Sequence, residues 1–533
     1  EDKIYSLKPT NGTGDLTFTR ASSATRVNAE GLIETASVIS TTEEVTNGDF
    51  ATDSDWTKPT GATISSGLLN LSGVASGQNT FQSTSIVVGK TYKATFTISN
   101  YVAGGVRFLI GATGITPTRN SNGTFTYIVN AATNTVIYLQ ARETTTLSVD
   151  NVSVKEVITS NVPRIDYSNG CGSLLLEKQS TNLITQSESF DNAYWTKSGS
   201  SVVSGTTSPD GTANAFKLVE DTSTGAHFFQ RTNTNTTNGA TVTHSIYAKA
   251  GERNWFRIQD FGAGPEGVWF DLNNGVVGTI IGTPDAYSIT ELTNGWYRCS
   301  VTVTEPANLS DISIVLGNAD NSASYLGDGT SGIYIYGAQL EEGSYATSYI
   351  ISNSGTSTTR IADAASKTGL SSVINSTEGV LYAEIAALAD DGTNRQLSLS
   401  DGSSANNKLS IIYTSTTNQI QAFVRASGSI SFNETFTLSS ATSSNKIAIK
   451  WKLNDFALWV NGVEVATDIS GSVPVGLSKL SFDDADGTLD FYGNCQNLML
   501  FPSALTDDEL SDITGAVHQT FNSLATFYNY TIL

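Results

Sequence analysis

The sequence predicts an all-β chain of tandem antiparallel sandwiches with very little helix. Three observations predict it. Of 533 residues only 15% are charged and 39% hydrophobic. The remainder is largely Ser, Thr, Asn and Gly, a mix that suits strands joined by tight turns. Next, polar and apolar residues alternate through Lys90–Ser99, Thr146–Val157 and Thr241–Ala250, the period of half-buried strands. Finally, "GDFATDSDWTKPTGATISSG" (Gly48–Gly67) is echoed by "ESFDNAYWTKSGSSVVSG" (Glu188–Gly205), each with a Phe, a Trp-Thr-Lys, a turn and a closing Ser-Gly.

The length exceeds what one hydrophobic core supports. The echo marks two related sandwiches of jelly-roll size, 41–158 and 186–350. Chance similarity within Ser/Thr-rich sequence is the competing reading. A third unit, 351–533, follows a Ser/Thr/Gly-rich junction. Its centre is "KIAIKWKLNDFALWVNGVEVA" (Lys446–Ala466), a three-strand meander. Asn461-Gly462 is its hairpin turn, because both residues accept positive φ. Thr506-Asp-Asp-Glu509 is a capping box that opens a short helix ending near Gly515. Segments 1–40 and 159–185 read as an attachment segment and its continuation, split by the first sandwich. "SVIS" and "VITS" form the two lips of that insertion, so Ser40 and Ile158 are expected to be neighbours.

The formal net charge of −21 argues against nucleic acid and anionic membrane as partners. No apolar run has the length of a membrane span. Cys171, Cys299 and Cys495 are far apart and odd in number, which argues against a disulfide framework or a zinc site.

Catalytic patterns are sparse. No Glu is followed two residues later by Asp, the strand pattern that aims paired carboxylates into a glycosidase cleft. His227, His244 and His518 form a triad or metal site only through long-range folding; surface or strand histidines are the plainer reading. The glycines suit turns, and none forms a phosphate loop ahead of a helix. The chain is therefore expected not to be an enzyme. No cofactor is required. A structural Ca²⁺ is the single candidate, at Asp483, Asp484, Asp486 and Asp490 around Gly487, where closely spaced carboxylates and a sharp turn suit an oxygen-loving cation. A plain Asp/Gly turn is the more common use of such a run. For sugar binding, the candidate stacking residues are Trp255, Phe256, Trp269 and Trp459. Trp56 and Trp195 are better suited to plugging the end of a core. Any single Trp fills a core more often than it meets a ligand.

"FTRASSATRVNAEGLIE" (Phe18–Glu34), "VPRIDY", "GSLLLE" and "STNLI" resemble a segment common in head and tail fibre proteins of tailed bacteriophages. "WTK" (Trp195–Lys197), "FDLNNG", "NGWYR" and "GAQLEEGSYATSYI" (Gly337–Ile350) are similar to the carbohydrate-binding-like jelly roll that follows it there. The extra sandwich at 41–158 departs from that layout. "LWVNGVEV" and "LDFYGNCQNLMLFPSALTDDEL" (Leu489–Leu510) resemble a laminin-G/concanavalin A-like sandwich. The resemblance implies two jelly-roll carbohydrate-binding-like modules plus a concanavalin A-like sandwich, on a virion surface. It implies a homo-oligomer, a trimer above all, contacting other virion proteins and host or environmental glycans. A secreted bacterial glycan-binding protein, an accessory region of a polysaccharide hydrolase and a ligand-free spacer stay open as alternatives.

Overall fold

The computed structural model describes residues 3–6, 16–111, 114–131, 133–262, 264, 266–403, 406–515 and 531–532; His518 lies outside them. The chain divides into two compact units, one of residues 37–159 and one of 1–36 with 160–533. Both are built from antiparallel sheets. The described α-helix is a single short one, Asp507–Thr514.

The smaller unit is organised by two long strands, Thr91–Ile110 and Val136–Ile158. They pair with register shifts between Arg142 and Thr146 and between Asp150 and Ser153. Such bulges bend and twist a strand. Tyr92, Ala94, Phe96 and Ile98 alternate inward, all buried. Val38 pairs with Ile158 and Val157 with Ile39, so the first and last residues of this unit lie side by side, as expected of Ser40 and Ile158.

The larger unit holds two sandwiches. One stacks the sheet containing Phe228–Asn235, Leu309–Gly317, Trp255–Asp260 and Glu266–Asp271 on the sheet containing Ala215–Glu220, Gly332–Glu342, Thr241–Ala250, Trp296–Thr304 and Ala286–Glu291. Between them lie Ile246, Phe256, Phe270, Val301, Ile314 and Leu340. The other places Glu378–Ala387 and Asn445–Lys452 opposite Arg395–Ser400 and Lys408–Tyr413. Its core contains Leu381, Leu399, Ile411, Trp451 and Phe491.

The echoed phrase performs one structural task twice. Trp56 packs on Phe50 at 5.3 Å between ring centroids and donates its indole N–H to Asn47 O at 3.1 Å. Trp195 packs on Phe190 at 5.5 Å and donates to Gln186 O at 2.9 Å. In both cases the acceptor lies nine residues upstream. Each Trp is buried with its polar edge satisfied, as a core aromatic requires. The hairpin turn and the cap also form as expected. Asn461 and Gly462 have φ of 51° and 88°. The Thr506 hydroxyl accepts from Glu509 N at 3.3 Å while the Glu509 carboxylate accepts from Thr506 N at 2.8 Å.

The segments expected to be linkers are instead strands of the C-terminal sandwich. Ser173–Leu176 pairs with Gly493–Phe501, Arg164–Asp166 pairs with Ser173–Leu176, and Thr17–Thr19 pairs with Ala364–Lys367. Leu174 and Leu176 enter that sandwich's core. Their apolar run therefore finds its partner surface within the same chain, because an open sheet edge with matching backbone donors and acceptors lies beside it.

A buried ionic cluster fixes these strands. Arg20, Arg164 and Arg360 come from "FTR", "VPR" and "TTR", and all three are fully buried. Arg20 Nη1 donates to Asp363 Oδ1 at 2.9 Å, and Arg164 Nη2 donates to Asp363 Oδ2. Glu177 Oε2 accepts from Arg164 Nη1 at 2.6 Å and Arg360 Nη1 at 2.8 Å. Burial alone would raise the Glu177 carboxyl, but Arg360 and Arg164, with two hydrogen bonds from Ser348, hold it at about 2.

Candidate functional site

Bordered by Glu177 and Ser348 of this cluster, within the larger unit, lies a cleft of about 600 Å³, a size typical of ligand sites. Its wall is the outer face of strands Ala286–Glu291 and Trp296–Thr304, which presents Ser288, Thr290, Arg298, Ser300 and Thr302. Alternation sends Cys299, Val301 and Val303 into the core and leaves this hydroxyl-rich face for the cleft. Ser288 Oγ and Ser300 Oγ are 2.7 Å apart, and Thr243 Oγ1 and Thr302 Oγ1 2.8 Å. The facing side comes from Thr25–Val27, the turn Asp166–Gly170 and the segment Ser344–Tyr349.

Five tyrosines line the cleft: Tyr167, Tyr247, Tyr287, Tyr345 and Tyr349. Tyr287 is 42% exposed. Tyr247 is buried, and the Arg298 guanidinium lies over its ring at 5.3 Å. Arg298 Nη2 donates to Ser245 Oγ at 3.1 Å, whereas its Nε has no hydrogen-bond partner. The Tyr345 hydroxyl is buried without a partner, and burial pushes it well above the ordinary phenol range. Asp166 is committed to scaffolding: it accepts from Val27 N at 2.8 Å and Ser168 N at 2.9 Å. The arrangement offers aromatic side chains, hydroxyl rows and the guanidinium groups of Arg26 and Arg298. It can hold a polyhydroxylated ligand. It contains no pair of free carboxylates placed for acid and base work.

The aromatic residues expected to stack on sugar lie elsewhere. Phe256 and Trp269 are completely buried, and Trp459 is 7% exposed. None presents a ring face. Phe256 points into the sandwich core. Trp269 stands on the opposite side of its sheet, covered by the Arg257 guanidinium at 5.2 Å from its ring. Trp459 is sealed beneath the C-terminal helix by Leu510 and Ile513. Trp255 is half-buried over the Gly278 backbone. The cleft tyrosines escaped sequence reading because they come from segments up to 182 residues apart, Tyr167 to Tyr349.

The acidic run does turn work. Asp483 accepts from Ala485 N at 2.5 Å, Asp486 from Thr488 Oγ1 at 2.9 Å and Asp490 from Tyr492 OH at 2.7 Å, while Asp484 is 3.4 Å from Lys408 Nζ. Among the described residues, the group of His, Cys, Asp and Glu side chains that does converge is His244, Asp260 and Glu305, with ligand atoms within 4.8 Å of one another. His244 Nε2 is 2.6 Å from Asp260 Oδ2 and 3.2 Å from Ser310 Oγ, and Ser310 Oγ donates to Asp260 Oδ2 at 2.8 Å. This is not a catalytic triad. A triad needs the acid on one imidazole nitrogen and the serine on the other. Here both meet Nε2, Nδ1 has no partner, and His244, Ser310 and Glu305 are all fully buried. Burial, with Asp260 alongside, pushes Glu305 up to about 8.

No protein-family model matches the chain, and no curated protein matches it. Solved structures give partial likenesses. The Ruminococcus gnavus IT-sialidase CBM40 aligns at 19% identity over 28% of this chain and 91% of that one, with a TM-score of 0.23. The CBM22-1-CBM22-2 tandem domain of Paenibacillus barcinonensis Xyn10C aligns at 12% over 58% and 98%, with 0.21. Sheep galectin-11 aligns at 9% over 25% and 93%, with 0.17. Likenesses at this level carry no inference about the present chain. No helix among the described residues is long and apolar enough to cross a membrane.

Proposed function

We propose that this chain is a non-enzymatic glycan-binding protein of a phage virion surface, and that the cleft of the larger unit is its saccharide site. The observation that carries the glycan reading is the cleft lining. The exposed Tyr287 side chain can stack on sugar C–H groups, and Arg298 with the Ser288–Ser300 and Thr302 hydroxyls can take the ring hydroxyls. A few placed polar groups among aromatic faces are the usual design of a small-molecule pocket. The virion setting rests on the fibre-like phrases that bracket the smaller unit, from Phe18 to Glu34 and from Val162 to Ile184. In this reading Arg20 and Arg164 of those phrases are scaffold, while Arg26, Asp166 and Glu177 also line the cleft.

A single shallow site binds sugar weakly. Several copies on one particle raise the effective concentration of sites without any new contact. A trimer follows from the resemblance. Its sequence-level support is reduced, since Leu174–Leu176 is already covered within the chain. Binding of the full chain to a printed array of bacterial, algal and animal glycans tests the first part of the proposal. A light-scattering mass at micromolar concentration tests the trimer. Reading frames for capsid or tail proteins beside its gene would support the virion setting.

A further inference from the structure

The second place where chemistry concentrates is the sealed end of the second sandwich, well apart in residue composition from the cleft. His244 comes from the middle of Thr241–Ala250, Asp260 from the end of Trp255–Asp260, and Ser310 from the start of Leu309–Gly317. Glu305 directly follows Trp296–Thr304. Four strands of two facing sheets thus deliver one imidazole, two carboxyl groups and one hydroxyl to a single interior point. His244, Glu305 and Ser310 are 0% exposed and Asp260 1%.

Two features set this point apart from an ordinary buried hydrogen-bond network. Neither carboxyl oxygen of Glu305 makes a well-formed hydrogen bond, although both lie in a fully buried environment against Asp260 and Ser310. Buried carboxyl groups are normally satisfied, and each one left without a partner is costly. In addition, the ligand atoms of His244, Asp260 and Glu305 all fall within 4.8 Å of one another. Adjacent ligand atoms around a tetrahedral or octahedral cation at about 2.0–2.2 Å are spaced about 2.8–3.6 Å apart. The backbone closes the point from outside: Asp260 Oδ1 accepts from Gly262 N at 2.5 Å, and a Cβ at Gly262 would sit 2.8 Å from Glu305 Oε2.

We propose that His244, Asp260 and Glu305, with the Ser310 hydroxyl as a fourth donor, form a structural site for a first-row divalent cation such as Zn²⁺ or Mn²⁺. The donor set selects the class. The imidazole nitrogen suits Zn²⁺ and argues against Ca²⁺ and Mg²⁺, which prefer all-oxygen shells, while the two carboxylates also suit Mn²⁺ and neutralise the charge. Binding replaces the direct contact between His244 Nε2 and Asp260 Oδ2 by two bonds to the cation, with that 2.6 Å separation opening by less than about 1 Å; the proton of the contact moves to the unpartnered Nδ1 and the Glu305 proton is released to solvent. The imidazole Nδ1 has no partner to orient it, so affinity falls about 10–100-fold short of a site with that second bond. Since the ion ties together both sheets, it acts on stability and not on the cleft. It also differs from the acidic turn at Asp483–Asp490 in ligands and in class of metal.

The test uses the full chain, refolded from denaturant with Zn²⁺, Mn²⁺ or Ca²⁺ because the point is sealed, then dialysed and assayed for bound metal and melting temperature. One equivalent of Zn²⁺ or Mn²⁺, a melting temperature raised by several degrees, and little effect of Ca²⁺ are expected. Co²⁺ should give the visible absorption of a low-symmetry site. Glu305→Gln, isosteric and able to fold without metal, should lose the equivalent and at least tenfold in affinity; His227→Gln, a histidine outside the cluster, should keep both. Absence of bound metal after refolding, or equal binding by Glu305→Gln, overturns the proposal and leaves a proton shared among the acids as the occupant.

Discussion

Arg20 Nη1 and Asp363 Oδ1 meet at 2.9 Å in the interior across 343 residues of sequence. The contact joins the first phrase of the N-terminal segment to the junction before the C-terminal sandwich. Arg164, also bound to Asp363, and Arg360, sharing Glu177 with Arg164, complete the cluster. Removing one member of such a cluster leaves the others charged and buried without compensation.

Asp363→Ala should therefore destabilise the larger unit by about 3–5 kcal/mol. It would strand Arg20 and Arg164 and also remove the acceptor of Glu177 N, 2.8 Å away. Urea unfolding at neutral pH measures the loss. A change under about 1 kcal/mol would mean that the cluster is solvated and does not bind the segments together.

The same cluster sets an acid limit. Glu177 is held at about 2 in the fold, against an ordinary value of 4.5. A depressed carboxyl contributes stability that is complete above its unfolded value and is lost as pH falls through the folded one. The urea midpoint should thus drop between about pH 4.5 and 2, and the drop should be shallower in Glu177→Gln. Parallel profiles for the two proteins would remove Glu177 as the cause.

Trp269→Ala should cost about 3–5 kcal/mol of stability, the toll of emptying a large aromatic site. Trp255→Ala, at a half-buried position, should cost less. Thermal melts of both variants decide between a core and a surface role for Trp269. An unchanged melting temperature in Trp269→Ala would return it to the list of ligand-binding aromatics.

Excising residues 37–159 and joining the ends by a short Gly/Ser linker should leave the larger unit folded. Its own strands close the gap, since Arg20 O accepts from Asn161 N at 2.8 Å and Asn161 Oδ1 accepts from Arg20 N at 2.9 Å. A sharp urea transition for the excised protein is expected. Aggregation of it under conditions where the full chain is monodisperse would show that the smaller unit is required for folding.

Much of this architecture was legible because it is local. Period-two runs such as Tyr92–Ala94–Phe96–Ile98 mark a buried face on their own. The spacing Asn47–Trp56 and its repeat Gln186–Trp195 encode a bond within one turn of chain, and the same holds for Asn461-Gly462 and the Thr506–Glu509 cap. The cluster and the cleft were not legible because their members converge only through sheet pairing between distant segments. "FTR", "VPR" and "TTR" look like solvated loops until Ser173–Leu176 docks beside Gly493–Phe501. Trp255-Phe256 did carry an unused signal: adjacent residues of a strand point to opposite faces, so one had to be core. Trp269 carried none. It stands on the outer side, covered by the cross-strand Arg257 and packed on the Gly317 backbone.

The central claim is that the cleft binds saccharide through Tyr287 and Arg298, and isothermal titration tests it most directly. The wild-type chain, Tyr287→Ala and Arg298→Ala would each be titrated with the best ligand from the glycan array. Tyr287→Ala alters an exposed side chain and should change stability by less than about 0.5 kcal/mol. The account predicts saturable binding by the wild type and at least a tenfold loss in each variant, with the Tyr287→Ala melting temperature unchanged. Binding of equal strength in all three proteins, or none by the wild type to any glycan of the array, would contradict it.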